Sequence, residues 1–156
     1  MVNGSPNFLV DNAVALANDY IECGANQTQP LNYMNYNSFS AAQKVVFVQT
    51  LMYNYTTDAT IMANVDAGLN ITYSTDPDIL ERWYTLGLWV TYSYMYTPCM
   101  NWVTTMGRSQ YLQSIFTACS QSGSATYNMC LDWYNVGMWF WTPLSRTVVE
   151  DCLYLS

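Results

Sequence analysis

Residues 76–90 read DPDILERWYTLGLWV, and this stretch decides the fold class. Asp76 suits the N-cap of a helix, Pro77 suits the first helical position, and Asp78 places an acid near the positive end of the helix dipole. The apolar residues that follow recur at the three- and four-residue intervals of a helix. They are Ile79, Leu80, Trp83, Leu86 and Val90. The stretch therefore predicts an amphipathic α-helix.

Helical spacing of apolar residues continues on both sides of this stretch, whereas the strict alternation typical of strands is absent. Caps and terminating glycines mark the other helices. Their approximate ranges are 7–23, 38 or 40 to 54, 58–67, 97–107, 108–121, 125–136 and 142–153. We expect a loop over 26–37. About eight helices with short connections predict an all-α fold, an irregular two-layer helical stack that is solenoid-like, as in armadillo or HEAT proteins.

The length of 156 residues suits one domain with a substantial core. We expect residues 1–6 to form a flexible N-terminus and residues 7–156 to form a single helical domain. The first residues lack the basic start and the apolar run of a signal peptide. The chain is therefore either cytoplasmic or has already lost a signal.

The charge composition excludes two classes of partner. Charged residues make up 10% of the chain, the net charge is −7, and the cations are Lys44, Arg82, Arg108 and Arg146. Nucleic acids and anionic membrane surfaces both require clustered cations, so we expect neither as a partner. No stretch reaches the roughly 20 apolar residues of a membrane-spanning helix.

The chain contains no histidine. Histidine is the commonest general base at neutral pH and the commonest metal ligand. A Ser-His-Asp or Cys-His arrangement therefore cannot form. We expect no catalytic site, no metal and no other cofactor, and hence a protein that is not itself an enzyme.

The cysteines lack the C-x-x-C spacing of structural zinc sites. Two interpretations stay open: thiols buried in the core, or one or two disulfides with one thiol left over because the count is odd. The candidates are Cys23, Cys99, Cys119, Cys130 and Cys152.

Sequons of the N-x-[ST] type begin at Asn26, Asn54 and Asn70, and a fourth at Asn3 is weakened by the proline that follows it. Each of the three good sequons falls near the end of a predicted element, where a glycan could be accepted. Together with the scarcity of lysine, they favour a secreted or cell-surface glycoprotein, with a cytoplasmic protein as the alternative.

The tryptophans fall into two groups. Trp83, Trp89 and Trp102 lie on helical apolar stripes and are expected in the core. The second group is unusual in density, and it admits either a core position or an exposed patch that would act as an interface anchor or sugar platform. It consists of Trp133, Trp139, Phe140 and Trp141.

Two short segments resemble a known family. They are DILERW at 78–83 and MGRSQY at 106–111, supported by NSF at 37–39, FVQTL at 47–51 and the Thr142-Pro143 pair. In this order and spacing they resemble the C-terminal helical domain of leukotriene A(4) hydrolase and related bifunctional zinc aminopeptidases. The resemblance covers about residues 7–153.

The resemblance implies a helical, solenoid-like domain next to a catalytic domain that carries the zinc. In the family this helical domain contributes an Arg and a Lys, two positions apart, that hold a substrate carboxylate. By position the Arg corresponds to Arg108, and the Lys is replaced by Gln110. One cation would remain, and a single guanidinium can still bind a carboxylate through two hydrogen bonds.

Three functions follow from these observations. The first is a non-catalytic helical interaction or assembly module, an extracellular glycoprotein that binds protein partners or itself as a homo-oligomer or filament. Low charge and abundant Tyr and Trp favour it. The second is an accessory domain of a zinc aminopeptidase or epoxide hydrolase that helps to hold a substrate carboxylate. The third is a small carboxylate or lipid binder, which would need a cleft between helices.

Overall fold

The computed structural model describes the backbone of residues 6–155 and the side chains from residue 10 onward. Within this range every regular element is helical, which confirms the all-α prediction. The α-helices are α1 (Pro6–Cys23), α2 (Ala41–Met52), α3 (Ala59–Leu69), α4 (Pro77–Val90), α5 (Tyr96–Met106), α6 (Ser109–Gln121), α7 (Ser124–Gly137) and α8 (Pro143–Cys152). Short 3-10 segments lie at Gly24–Asn26, Tyr33–Ser38, Ile71–Tyr73 and Ser93–Met95.

Three of the predicted helix starts coincide with side-chain caps, whereas α5 begins at Tyr96, before the predicted start at Thr97, and has no side-chain cap. Ser40 and Gln43 form a capping box, in which each side chain accepts a hydrogen bond from the backbone N–H of the other residue, at 3.2 and 2.9 Å. Asp58 accepts from the N–H of Ile61 at 2.9 Å and so starts α3. Thr142 does the same for α8. These caps satisfy N–H groups that have no partner inside the helix.

The predicted loop over 26–37 needs a correction, because part of it is helical. A 3-10 segment covers Tyr33–Ser38, and the Ser38 hydroxyl donates to the Asn35 carbonyl at 2.7 Å. Asn and Ser form such local hydrogen bonds without requiring an apolar period, so periodicity does not reveal them. The predicted flexible segment 1–6 lies outside the described residues except for Pro6, which begins α1.

The chain divides into two compact units, unit 1 over Met1–Trp83 and unit 2 over Tyr84–Ser156. The division falls inside α4. The single domain expected for residues 7–156 stays a prediction. None of the helices within residues 6–155 has the length and apolar character needed to cross a membrane.

Unit 1 is organised around α1, which packs against α2 and α3. Tyr20 of α1 meets Phe47 of α2 edge-to-face, with ring centroids 6.0 Å apart. Burying each large side chain of this kind stabilises the fold by roughly 1.5–3 kcal/mol. Fully buried members of this core are Leu16, Tyr20, Phe47, Leu51 and Met62.

Polar side chains attach the loop after α1 to α3. The Gln29 amide donates to the backbone carbonyl and to the side-chain oxygen of Asn64, at 2.8 and 3.0 Å. Asn64 in turn donates to the Thr28 carbonyl at 2.9 Å, and the Tyr20 hydroxyl donates to the Gln29 side-chain oxygen. These bonds supply the partners that buried polar groups require.

A second polar cluster in unit 1 surrounds a buried acid. Asp66 of α3 accepts from the backbone N–H of Thr72 at 2.9 Å and also from its hydroxyl. The Trp83 indole donates to the same hydroxyl oxygen at 2.9 Å. The cluster therefore holds the 3-10 segment Ile71–Tyr73 against α3 and the first half of α4.

Unit 2 is built from α5 to α8 and the second half of α4. In it α6 packs against α7 and α8, and α7 packs against α5. A disulfide between Cys119 and Cys130 joins α6 to α7 across the Ser122-Gly123 turn. The fully buried side chains include Val103, Leu112, Ile115, Phe116 and Val149.

Trp141 connects three elements of unit 2 from the turn between α7 and α8. Its indole N–H donates to the Val103 carbonyl of α5 at 2.8 Å. Its ring meets Phe116 of α6 edge-to-face at 5.6 Å and lies 6.3 Å from the ring of Tyr134 in α7. The side chain is thus fixed on several sides.

Candidate functional site

Arg108 lies in a tight turn between two helices. Gly107 ends α5 with φ +75°, a left-handed conformation in which a glycine avoids the strain of a side chain. Arg108 follows in an extended conformation and precedes the first residue of α6. The Ser145 hydroxyl donates to the Gly107 carbonyl at 2.8 Å, which attaches this turn to α8.

The Arg108 guanidinium is exposed and lies over an aromatic ring. Its Cζ is 5.4 Å from the ring centroid of Tyr111, within cation–π distance. The ion pairs found within residues 6–155 join Arg82 to Glu81 and Arg146 to Glu150. In that part of the chain, Arg108 therefore has no carboxylate partner, and its charge is not neutralised by an acid.

The ring that Arg108 contacts belongs to a chain of neighbouring aromatic rings in unit 2. Tyr111 is only 4% exposed, and its ring centroid lies 5.7 Å from that of Trp102 in α5. Trp102 in turn meets Tyr84 of α4 edge-to-face at 5.6 Å. The chain of rings lies within unit 2 and ends at the surface with Arg108. Sequence reasoning missed Tyr111, although its position three residues after Arg108 on a helix start was a usable signal.

Gln110 is exposed in the first turn of α6. Its side chain is a neutral amide, which can donate and accept hydrogen bonds but carries no charge. Electrostatic attraction for an anion at this helix start therefore comes from Arg108 and from the positive end of the α6 dipole.

Residues 39–153 match the family model described as leukotriene A4 hydrolase, C-terminal. The chain belongs to this family. The match contains both segments on which the resemblance rested, at 78–83 and 106–111, and it includes the turn with Gly107 and Arg108. The family prediction is therefore confirmed, and the chain is a helical C-terminal-type domain rather than the part of such enzymes that holds the catalytic site.

The chain is also similar to leucine aminopeptidase 2 from Yarrowia lipolytica (strain CLIB 122 / E 150). The two are 20% identical over 152 residues, which is 93% of this chain and 23% of the relative. The chain therefore spans about a quarter of the length of the curated relative that it matches. No solved structure matches the chain.

Other chemistry in this leukotriene A4 hydrolase-type domain is sparse. Within residues 6–155 no group of three His, Cys, Asp or Glu residues is arranged to hold a metal ion. Glu150 accepts hydrogen bonds from the Tyr134 hydroxyl and from Arg146, the latter at 2.8 Å. Both bonds favour the charged carboxylate, and they hold the pKa of Glu150 below its ordinary value of 4.5.

The cysteines divide between bonded and free. Cys119 and Cys130 form the disulfide, and the remaining three are thiols. Cys99 is fully buried, and burial raises the pKa of its thiol because the charged form loses hydration. Cys23 and Cys152 are partly exposed.

The three sequon asparagines lie close to element ends. Asn26 is exposed at the end of the first 3-10 segment, and Asn70 is exposed in the left-handed conformation that ends α3. Asn54 is half-buried, and its side-chain oxygen accepts from the backbone N–H and the hydroxyl of Thr56, at 3.0 and 2.6 Å. Glycan attachment at these sites, and with it secretion or surface display, stays a prediction.

The second tryptophan-rich group is split by the structure. Trp133 and Trp141 are buried, whereas Trp139 is 78% exposed and Phe140 is 72% exposed. Of the first group, Trp83 is buried as predicted and Trp102 is only half-buried. The core prediction was wrong for Trp89, which is 42% exposed and donates to the Gln121 side chain at 3.2 Å. Helical spacing places Trp89 on the edge of the apolar stripe of α4, and spacing alone cannot tell an edge from its centre.

Among the cavities in the described part of unit 1 are two wide, open grooves. One has a volume of about 640 Å³ and is lined by residues of α1 and α2 together with Tyr53 and Tyr55. The other, about 700 Å³, is lined by residues that include Asp19 and Glu22. Two carboxylates disfavour a carboxylate ligand in the second groove, and neither groove includes Arg108.

Proposed function

We propose that this chain acts as a non-catalytic helical module of a zinc aminopeptidase or epoxide hydrolase, in which Arg108 helps to hold a substrate carboxylate. The observation that carries the proposal is an exposed guanidinium, without an acid partner in the described chain, in the Gly-Arg segment of a domain of this family. The leucine aminopeptidase similarity supports the same class of enzyme.

The electrostatics of this turn favour an anion despite the overall charge of −7. A guanidinium offers paired N–H donors that match the two oxygens of a carboxylate. It stands at the N-terminus of α6, a helix of 13 residues, where the helix dipole adds a partial positive charge. Gln110 adds a neutral hydrogen-bonding amide, so we expect binding of a carboxylate with modest selectivity.

The proposal is tested by reconstitution. Leucine aminopeptidase 2 from Yarrowia lipolytica is prepared without the segment that matches this chain, and this chain is then supplied separately. Peptides with a free C-terminal carboxylate and the same peptides with a C-terminal amide serve as substrates. We expect added chain to lower KM for the free carboxylate and to leave the amide peptides unaffected.

Arg108→Ala should raise that KM about tenfold, since a hydrogen-bonded charge is worth roughly 1.5–3 kcal/mol and 1.4 kcal/mol is tenfold. Arg82→Ala removes the same charge elsewhere and is the matched control. Addition of the chain without any effect on either substrate series contradicts the proposal.

A second candidate function is association with a second copy of the chain, and a specific surface favours it. Trp139 and Phe140 are followed by Leu144, which is 70% exposed. Aromatic residues are enriched in interfaces, and these three exposed apolar side chains lie within six positions of the chain. We name Trp139, Phe140 and Leu144 the aromatic corner.

Light scattering across a concentration series tests this candidate. We expect a rise in mass with concentration that the double variant Trp139→Ser/Phe140→Ser abolishes. The control is Tyr53→Ser/Tyr55→Ser, which removes two exposed aromatic side chains from unit 1. A monomer at every concentration, or equal loss in both double variants, argues against it.

A further inference from the structure

Arg108 differs from the other arginines of this chain in what holds its side chain. Arg146 donates to the Glu150 carboxylate at 2.8 Å, so an acid compensates its charge. Arg82 pairs with Glu81 at 3.4 Å. The partner found for Arg108 is the ring face of Tyr111, which attracts a cation through its quadrupole but has no charge of its own.

This distinction matters for ligand binding. A carboxylate partner would have to be displaced before a ligand carboxylate could bind the guanidinium. An aromatic ring leaves the cation uncompensated, while it restricts the otherwise many conformations of a long arginine side chain. A side chain that is ordered before binding loses less entropy when the ligand arrives.

We propose that Tyr111 is a positioning residue, whose ring holds the Arg108 guanidinium at the surface of unit 2 in readiness for a carboxylate. The inference rests on the proposed carboxylate-binding function. It also extends that function, because it places a specificity-supporting role on a buried ring that does not touch the ligand.

The support of the Tyr111 ring makes it suitable for this role. Tyr111 is nearly fully buried, and the ring of the half-buried Trp102 lies beside it, tilted by 43° with a centroid distance of 5.7 Å. Trp102 is held in turn by Tyr84 at 5.6 Å. Because Tyr111 is almost completely buried and its ring neighbours Trp102, the ring has little room to move and offers the Arg108 side chain a fixed surface.

The helix register provides the contact. Arg108 precedes α6 directly, and Tyr111 is the third residue of that helix. The N–H groups of Tyr111 and Leu112 donate to the Arg108 carbonyl at 3.1 and 3.0 Å. This first turn fixes the backbone of Arg108 relative to the ring, so only the side chain of the arginine has to be ordered.

The first test measures side-chain position in the free protein. Protons above an aromatic ring experience a ring current, so NMR signals of the Arg108 side chain should be shifted upfield relative to those of Arg82. We expect Tyr111→Phe to retain the shift and Tyr111→Leu to abolish it. An unshifted Arg108 spectrum in the wild-type chain overturns the proposal without any variant.

The second test measures binding to the full chain by NMR titration with trialanine and with trialanine amide. We expect wild type to prefer the carboxylate form and Arg108→Ala to lose that preference. Tyr111→Leu should raise Kd for trialanine about threefold, in the range expected for an exposed cation–π contact, and Tyr111→Phe should restore it.

The outcomes separate the two proposals. Equal binding of the two peptides by wild type contradicts the proposed function itself. A wild-type preference that Arg108→Ala removes but Tyr111→Leu leaves unchanged contradicts only the positioning role. Near-UV circular dichroism verifies folding, and Tyr111→Met replaces the leucine variant if the latter does not fold, with the same expected loss.

Discussion

Units 1 and 2 are both helical, yet they secure their connections by different means. In unit 1 the loop after α1 and the segment before α4 are held by polar side chains, chiefly those of Gln29, Asn64 and Asp66. In unit 2 the Cys119–Cys130 disulfide joins α6 to α7, and the packed ring of Trp141 holds the turn between α7 and α8. Flexible donors can adjust to small displacements, whereas a covalent bond and a packed ring cannot.

This difference bears on the candidate site. Arg108 and its aromatic support belong to unit 2, the unit with the more rigid connections. Binding residues are most effective when their supporting side chains are locked by packing. The comparison therefore predicts that unit 2 tolerates small structural changes less well than unit 1. Two experiments test this prediction, and a third tests a side-chain contact within unit 2.

Removal of the disulfide should cause the largest loss of stability among these experiments. Cys119 and Cys130 are 11 positions apart, and closing a loop of that size stabilises a fold by about 3 kcal/mol in the chain-entropy model. Hydrogen exchange should therefore accelerate about a hundredfold in α6 and α7 of a Cys119→Ala/Cys130→Ala variant. Residue-resolved exchange at constant pH measures it.

The matched control is Cys23→Ala, which removes a partly exposed free thiol from unit 1. It should leave exchange in α6 and α7 unchanged. If the double variant loses protection equally in α1 and α2, the disulfide stabilises the whole chain and the contrast between the units does not hold.

A pair of glycine substitutions sharpens the comparison. A Cβ at Gly137 would lie 2.2 Å from the ring of Trp141, which is held on its other sides, so Gly137→Ala should cost about 2 kcal/mol through overpacking. A Cβ at Gly68 would lie 2.2 Å from the far end of Gln29. That amide can shift only by weakening its hydrogen bonds to Asn64 and Tyr20, but alanine is the better helix former, and the two effects partly cancel. Gly68→Ala should therefore stay within about 1 kcal/mol of wild type.

Urea denaturation at 25 °C gives both free energies of unfolding. Each protein also serves as a control for the other, since both changes add one methyl group to a helical glycine. Equal losses in the two variants would mean that the rigidity of Trp141 has no energetic consequence.

The smallest expected effect is on the stability of the protein at acid pH, through the carboxylate of Glu150. The Tyr134 hydroxyl and Arg146 lower the pKa of Glu150, so the folded value lies below the unfolded one. The contribution of this carboxylate to stability is present above the ordinary value of 4.5 and is lost as pH falls through the lowered pKa. Tyr134→Phe should raise the pKa of Glu150 towards 4.5 and should destabilise the protein more at pH 6 than at pH 3.

An NMR titration of the Glu150 side chain measures the first effect, and the melting temperature at the two pH values measures the second. Tyr127→Phe is the control, because the Tyr127 hydroxyl donates to the carbonyl of Leu153, which does not titrate. If the stability of both tyrosine variants changes with pH in the same way, the hydrogen bond from Tyr134 to Glu150 is not the cause of the pH dependence.

Much of the fold could be predicted from local signals. Capping residues stand at Ser40, Asp58 and Thr142, within or beside the predicted helix starts, and the left-handed Gly24 and Gly107 stand at the predicted ends of α1 and α5. Such features depend on residues within one helical turn, so the chain does not need to be folded for them to be recognised. The 3-10 segment Tyr33–Ser38 was not predicted, because its residues have no apolar periodicity.

The candidate site was only partly predictable. Arg108 and Gln110 followed from the family resemblance, and the turn that carries Arg108 followed from Gly107. The contact of Arg108 with Tyr111 and the neighbouring rings of Trp102 and Tyr84 did not, because Trp102 and Tyr84 belong to other helices. Their convergence depends on how α4, α5 and α6 pack.

The sequence by itself therefore determined the helices, their caps, the family and the scarcity of charge. Each of these depends on residues close together in the chain or on the amino-acid composition. Only the tertiary structure decided which cysteines pair, which tryptophans are buried and which partner Arg108 has. Those outcomes depend on distances between residues that are far apart in the chain, and apolar periodicity contains no such distances. The helix around Asp76 shows the division: its start follows from three residues, but whether Trp83 or Trp89 is buried depends on the helices that pack against it.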